Sequence, residues 1–83
     1  MKEKEIDVRN VPTSCTSHPV MVLANALSYL AKEDIDVVKI YFNVSDIPEN
    51  VVKFFLSKHR YSIEEIKVLD NNSRLIIAKK ERW

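Results

Sequence analysis

Apolar and polar residues recur along this chain in blocks that predict six secondary-structure elements. Alternating or continuous apolar runs predict four strands, over Glu3–Arg9, Ile35–Phe42, Ile63–Leu69 and Arg74–Lys80. Spacings of three and four residues predict a first helix with its apolar face at Val20, Leu23, Ala24, Leu27, Leu30 and Ala31. A second helix running to about Lys58 has Ile47, Val51, Phe54 and Phe55 on one predicted face. The order β-α-β-α-β-β predicts an α+β fold, a two-layer sandwich with two helices on one face of a four-stranded mixed sheet.

Local signals place the ends of these elements. Asn10–Ser17 is expected to be a loop, with Ser17 capping the first helix and Pro19 in its first turn. Asp46 is the expected cap of the second helix. Asp70–Ser73 is expected to be a tight turn between the last two strands.

The chain has no glycine, which excludes the glycine-rich phosphate loops of P-loop and Rossmann proteins. Asparagine tolerates a positive φ, so some of the six asparagines are expected to take glycine's place in loops.

Length and composition narrow the class further. The 83 residues are expected to form a single domain, with 46% hydrophobic and 30% charged residues as in a soluble globular protein. No apolar run is long enough to span a membrane, and the charged segment Met1–Glu5 is not expected to be a secretory signal. The single cysteine excludes an internal disulfide and favours the reducing cytoplasm. With only two histidines beside it, we expect no metal site and no cofactor.

Cys15 is the strongest candidate for chemistry. It lies in the loop before the first helix, where the positive end of the helix dipole favours the thiolate, and His18 adds a proton carrier or positive charge. The alternative is an inert loop cysteine. The neighbouring hydroxyl residues Thr16 and Ser17 lack a recognisable base and acid around them and are better explained as loop and capping residues.

Charged residues supply two further candidates. Asp7 and Arg9 point the same way from the first strand, which lets them pair or position a ligand near the Cys15 loop; the alternative is a surface ion pair. From Lys53 onward, eight Lys and Arg face four Asp and Glu. Lys53, Lys58, Arg60, Lys79 and Lys80 are therefore candidates for docking an acidic protein, the alternative being a solvated surface.

From Ile6 to Lys80 the chain resembles the TusA/SirA family of small sulfur carriers. Asp7-Val8-Arg9-Asn10 is similar to the family's Asp-x-Arg-Gly, and Pro19-Val20-Met21 with Ala26-Leu27 matches the end of its Cys-Pro-x-Pro motif and the helix beyond it. The motif itself is degenerate here, because Thr16 occupies the cysteine position, Ser17 occupies the first proline position, and Cys15 lies one residue earlier.

The resemblance implies a cytoplasmic sulfur carrier, sulfurtransferase-like if Cys15 is active, with sulfur-donor and sulfur-acceptor proteins as partners. Cys15 would hold the sulfur as a persulfide, supported by Asp7, Arg9, Thr16, Ser17, His18 and Pro19. The alternative is a non-catalytic binding module of the same fold. Alba-type chromatin proteins and the C-terminal domain of translation initiation factor three share this element order. Nucleic-acid binding is the weaker alternative, because Ser17-His18 and Asn43-Val44-Ser45 stand where Alba proteins carry basic residues.

Overall fold

A computed structural model describes residues 2–9, 19–33 and 35–81, apart from the side chains of Pro19 and Ala31. In these residues the chain forms β1 (Glu3–Asp7), α1 (Pro19–Lys32), β2 (Val37–Asn43), α2 (Glu49–Lys58), β3 (Tyr61–Val68) and β4 (Ser73–Lys80). The predicted order β-α-β-α-β-β is confirmed, and so is the α+β class.

The strands of the described chain form one mixed sheet in the order β1-β2-β4-β3. β1 and β2 are parallel, whereas β4 is antiparallel to both of its neighbours, β2 and β3. The last strand in sequence therefore lies in the interior of the sheet, and β1 and β3 form its edges. Both helices lie on one face of the sheet.

The core lies between the helices and this face. Alternate residues of β2, namely Val38, Ile40 and Phe42, are buried. They face the apolar stripe of α1 formed by Leu23, Leu27 and Leu30, which is buried as its spacing predicts. Ile76 and Ala78 extend the same layer across β4.

Strand boundaries differ from the predicted ones by one or two residues at several ends. β3 begins at Tyr61 rather than Ile63 because Tyr61 pairs with Lys80 and its hydroxyl donates a buried hydrogen bond to the Ile35 carbonyl at 2.8 Å. The second strand begins two residues later than predicted, at Val37. The aromatic ring and its hydrogen bond thus extend β3 beyond the apolar alternation.

The predicted capping of α2 by Asp46 is wrong. The N-cap is Pro48, which makes no side-chain capping hydrogen bond. Asp46 instead lies in the preceding turn, where its backbone N–H donates to the Asn43 carbonyl at 3.0 Å. Asp46 is therefore part of the turn between β2 and α2 and does not cap the helix.

The predicted apolar face of α2 is wrong at one position. Phe54 is 63% exposed, whereas Val52 and Leu56 are fully buried. Ile47 is buried ahead of the helix, and Val51 and Phe55 are partly buried against the core. Two adjacent phenylalanines lie about 100° apart around a helix, so only one of them can face the sheet.

The expectation that asparagines replace glycine is wrong for those in the described residues. Among these residues, the one with a positive φ is Arg60, at 64°. It follows the end of α2, where a left-handed residue commonly terminates a helix. Asn43 and Asn72 act instead through side-chain hydrogen bonds. Asn10 lies outside the described residues.

Candidate functional site

The predicted nucleophile, Cys15, lies outside the described residues. The same holds for the predicted loop over Asn10–Ser17, including Thr16 and Ser17, and for His18. Pro19 is the first residue of α1, as predicted, but its side chain is not described. The described part of the candidate site consists of the residues on either side of residues 10–18, which we call the Cys15 segment.

Asp7 and Arg9 form the predicted pair where β1 ends. Arg9 Nη2 lies 2.8 Å from Asp7 Oδ2, and Arg9 Nε donates to Asp7 Oδ1 at 3.1 Å. The backbone N–H of Arg9 also donates to Asp7 Oδ1, at 3.0 Å. The hydrogen bond from the guanidinium holds the pKa of Asp7 below its ordinary value. The pair is partly exposed, so its effect on stability is screened by water.

The same guanidinium packs on an aromatic ring of the next strand. Arg9 Cζ lies 4.9 Å from the centre of the Tyr41 ring, which is a cation–π distance. Tyr41 is the partner of Asp7 in the parallel ladder, and the Val8 N–H continues that ladder by donating to the Tyr41 carbonyl at 2.9 Å. The chain is thus attached to β2 up to Arg9, the last described residue before the Cys15 segment.

Asn43, at the end of β2, completes this attachment. Its Nδ2 donates to the Arg9 carbonyl at 3.2 Å, while its Oδ1 accepts a 2.8 Å hydrogen bond from the Ser73 hydroxyl of β4. One side chain therefore links the ends of three strands. Sequence reasoning missed Asn43 because its partners are 34 and 30 residues away along the chain. The one sequence feature that could have indicated Asn43 is its place as a polar residue directly after an apolar strand.

A second asparagine fixes the adjacent turns. Asn72 Oδ1 accepts the Ser45 N–H, and Asn72 Nδ2 donates to the Ser45 hydroxyl, both at 3.0 Å. Asp70 closes the predicted turn by accepting the N–H groups of Asn72 and Ser73, at 2.8 and 2.7 Å. These backbone hydrogen bonds hold the pKa of Asp70 below its ordinary value.

The Cys15 segment ends at the N-terminus of α1. Because β1 and β2 are parallel, α1 must return the chain from the end of β1 to the start of β2, so its N-terminus lies toward the Arg9 end of the sheet. Its first turn contains no acidic residue that would offset the positive end of the helix dipole.

Four of the five predicted docking residues lie away from the ends of this segment. Lys79 and Lys80 pair with Val37 and Tyr61, at the opposite end of the sheet from Asn43 and Arg9. The backbone carbonyl of Arg60 accepts the Glu81 N–H at 2.9 Å, which places Arg60 at the same far end, next to Lys58 in the last turn of α2. Lys53 lies within α2 and pairs with Glu49 at 3.4 Å.

The described residues contain no group of three or more His, Cys, Asp or Glu arranged to hold a metal ion. None of their helices is long and apolar enough to cross a membrane. Comparison of this chain with protein-family models, with curated proteins and with solved structures gave no match. The functional conclusion therefore depends on the residues themselves.

Proposed function

We propose that this protein is a small sulfur carrier that accepts a sulfane sulfur on Cys15 and passes it to an acceptor protein. The observation that carries the proposal is the attachment at Arg9: the segment with the chain's one cysteine starts from a residue held by Asp7, Tyr41 and Asn43. The same segment leads into the N-terminus of α1, whose dipole favours a thiolate. The likeness of Asp7-Val8-Arg9 to the TusA/SirA pattern supports the same function.

The reaction is a thiol–persulfide exchange. The Cys15 thiolate attacks the terminal sulfur of a donor persulfide, forming one S–S bond as the donor's S–S bond breaks. The donor leaves as a thiolate, and the transferred sulfur keeps its proton. In the proposal His18 and the helix terminus lower the pKa of the Cys15 thiol. Thr16, Ser17 and Pro19 shape the approach to the helix, and Asp7 with Arg9 fixes the start of the loop.

The test is the intact mass of the protein after incubation with a persulfidated cysteine desulfurase. We expect a gain of one sulfur atom that a reductant removes, and no gain on the Cys15→Ser variant. Because Cys15 is the single cysteine, the adduct is assigned without digestion. An unmodified thiol that still reacts with an alkylating agent would exclude the carrier function.

A second candidate is a binding module that needs no thiol. It is favoured by three exposed basic residues, Lys58, Arg60 and Lys79, which occur near the end of the sheet far from Arg9. Such a module would hold an acidic protein partner. In that case replacing Lys79 and Lys80 by alanine weakens salt-sensitive binding to a polyglutamate probe, and alkylation of Cys15 leaves it unchanged.

A further inference from the structure

The described sheet has two edge strands, and β3 is the longer of them. Its eight residues pair with β4 on one side, and no described strand pairs with its other side. β1, at the opposite edge, has five residues. The backbone N–H and C=O groups along an open edge can pair with a strand of another chain, so the side chains of each edge decide whether such pairing is favourable.

The side chains of β1 oppose its pairing with a second copy of itself. Glu3, Glu5 and Asp7 are alternate residues, so they point to one face of the sheet, opposite the buried Ile6. In an antiparallel pair of β1 strands from two copies, residues directly opposite each other point to the same face. Every register that aligns the faces would therefore place these carboxylates opposite one another, which is destabilising.

The charges of β3 are arranged to favour such pairing. Glu65 and Lys67 lie on either side of Ile66, which pairs with the buried Ile76 and so faces the helices. Both charged residues therefore point to the open face of the sheet. They are exposed, and no described residue forms an ion pair with either of them. Two β3 strands that run antiparallel about Ile66 would bring Glu65 of each copy opposite Lys67 of the other.

The helix-facing side of β3 is left partly uncovered. Ile63 and Ile66 are partly buried, and Val68 is 69% exposed. Val68 pairs with Arg74, which pairs with the buried Phe42, so Val68 points to the helix side although α2 does not cover it. In an antiparallel pair of copies the two-fold axis is perpendicular to the sheet. The helices of both copies then lie on the same face, and Ile66 of one copy meets Ile66 of the other.

We infer that the open edge of β3 binds a second copy of this protein, so that two sheets join through antiparallel β3 strands into one sheet of eight strands. The charges select the register, because centring the pair on Glu65 or on Lys67 would place like charges opposite each other. A β-bulge between Ile63 and Glu65 limits regular pairing to the residues from Glu65 onward. The interface is therefore small, and we expect a dimer that dissociates on dilution. The inference does not depend on Cys15.

The test is sedimentation equilibrium of the full chain between about 1 μM and 1 mM, a range that covers weak association. We expect the average mass to rise with concentration from 9.7 kDa toward twice that value. Glu65→Lys should raise the dissociation constant of the dimer at least about tenfold, because two attractive pairs become two repulsive ones. The double variant Glu65→Lys/Lys67→Glu exchanges the two charges and should restore the wild-type dissociation constant to within about threefold.

Glu81→Lys is the matched control, because it makes the same change in net charge at an exposed residue beyond β4. It should leave the dissociation constant within about threefold of the wild type. A wild-type protein that stays monomeric up to about 1 mM would overturn the inference and would leave the edge open to a strand of a different protein. A dimer that Glu65→Lys leaves unchanged, or that the double variant fails to restore, would place the contact elsewhere and overturn the inference too.

Discussion

At the scale of single residues, Arg60 is the one described position whose backbone conformation conflicts with its side chain. Its φ of 64° lies in the left-handed region, where a Cβ atom crowds the following carbonyl oxygen. We expect Arg60→Gly to raise the free energy of unfolding by about 0.5–1 kcal/mol, because relief of this crowding exceeds the extra entropy of an unfolded glycine.

Urea unfolding checks this prediction against His59→Gly, one residue earlier. His59 has a φ of −99°, so glycine there brings only the entropic cost and should lower stability. Destabilisation of both variants by the same amount would contradict the prediction.

Asp70 gives a prediction for pH. Backbone N–H groups of Asn72 and Ser73 stabilise its carboxylate, so its pKa in the folded protein lies below the ordinary 3.8. A group whose pKa is lower in the folded state binds more protons when unfolded. Its stabilising contribution is therefore complete above pH 3.8 and is lost as the pH falls through the folded pKa. Asp7, whose pKa is lowered by the Arg9 guanidinium, contributes in the same direction.

The measurement is the free energy of unfolding between about pH 6 and the acid transition, for the wild type and for Asp70→Asn. We expect the variant to lose less stability in acid than the wild type. Glu64→Gln, at an exposed position of β3, removes one carboxylate in the same way and is the charge-matched control. An unaltered acid dependence in Asp70→Asn would show that the turn does not depend on this carboxylate.

At the scale of elements, the contrast between Phe54 and Leu56 tests which face of α2 packs on the sheet. Leu56 is fully buried, so Leu56→Ala should cost about 2–5 kcal/mol of unfolding free energy. Phe54 is 63% exposed, so Phe54→Ala should change it by about 0.5 kcal/mol or less, the range of surface substitutions. Denaturant midpoints at constant slope measure both, and a larger loss for Phe54→Ala would mean that α2 is rotated.

The elements also show how far the sequence determines this structure. Alternation in Val38, Ile40 and Phe42 and the helical spacing of Leu23, Leu27 and Leu30 predicted β2 and α1 correctly, because one face of each is buried. The end of α2 was likewise predicted correctly. The beginning of α2 was predicted wrongly. The backbone N–H groups of Asp46 and Ile47 donate to the Asn43 carbonyl, so Asp46 forms a turn and does not cap the helix.

The candidate site likewise has one part that the sequence predicted and one part that it did not. The Asp7–Arg9 pair was predictable because its members are two residues apart along the chain, where β1 ends. The contacts of Asn43 with Arg9 and Ser73 were not, because they depend on which strands become neighbours. In the folded sheet the end of β2 pairs with the start of β4. The local hydrophobic pattern of a sequence does not predict which strands pair.

At the scale of the whole molecule, the ends of the Cys15 segment lie apart from the basic residues Lys79 and Lys80. From Asn43 to Val37, the partner of Lys79, β2 extends six residues, or about 20 Å at about 3.3 Å per residue. This exceeds the Debye length of about 8–10 Å near physiological salt, so a charge at Lys79 has little effect on the electrostatic potential beside Arg9. A protein partner is large enough to contact both regions, because a standard interface of about 800 Å² per partner is roughly 30 Å across.

Charge reversal at the two ends of the sheet separates these effects. The carrier proposal has the thiol act at the Arg9 end of the sheet, so Lys79→Glu should leave the rate of Cys15 alkylation within about twofold of the wild type. If Lys79 docks an acidic donor, as we propose, the same variant should slow sulfur transfer from a persulfidated desulfurase in low salt. Lys67→Glu is the control: it also reverses an exposed strand lysine, but Lys67 pairs with Leu75 toward the Arg9 end. Equal rates of sulfur transfer in Lys79→Glu and Lys67→Glu at every salt concentration would contradict a docking role for Lys79. The donor would then have to bind at the Arg9 end of the sheet.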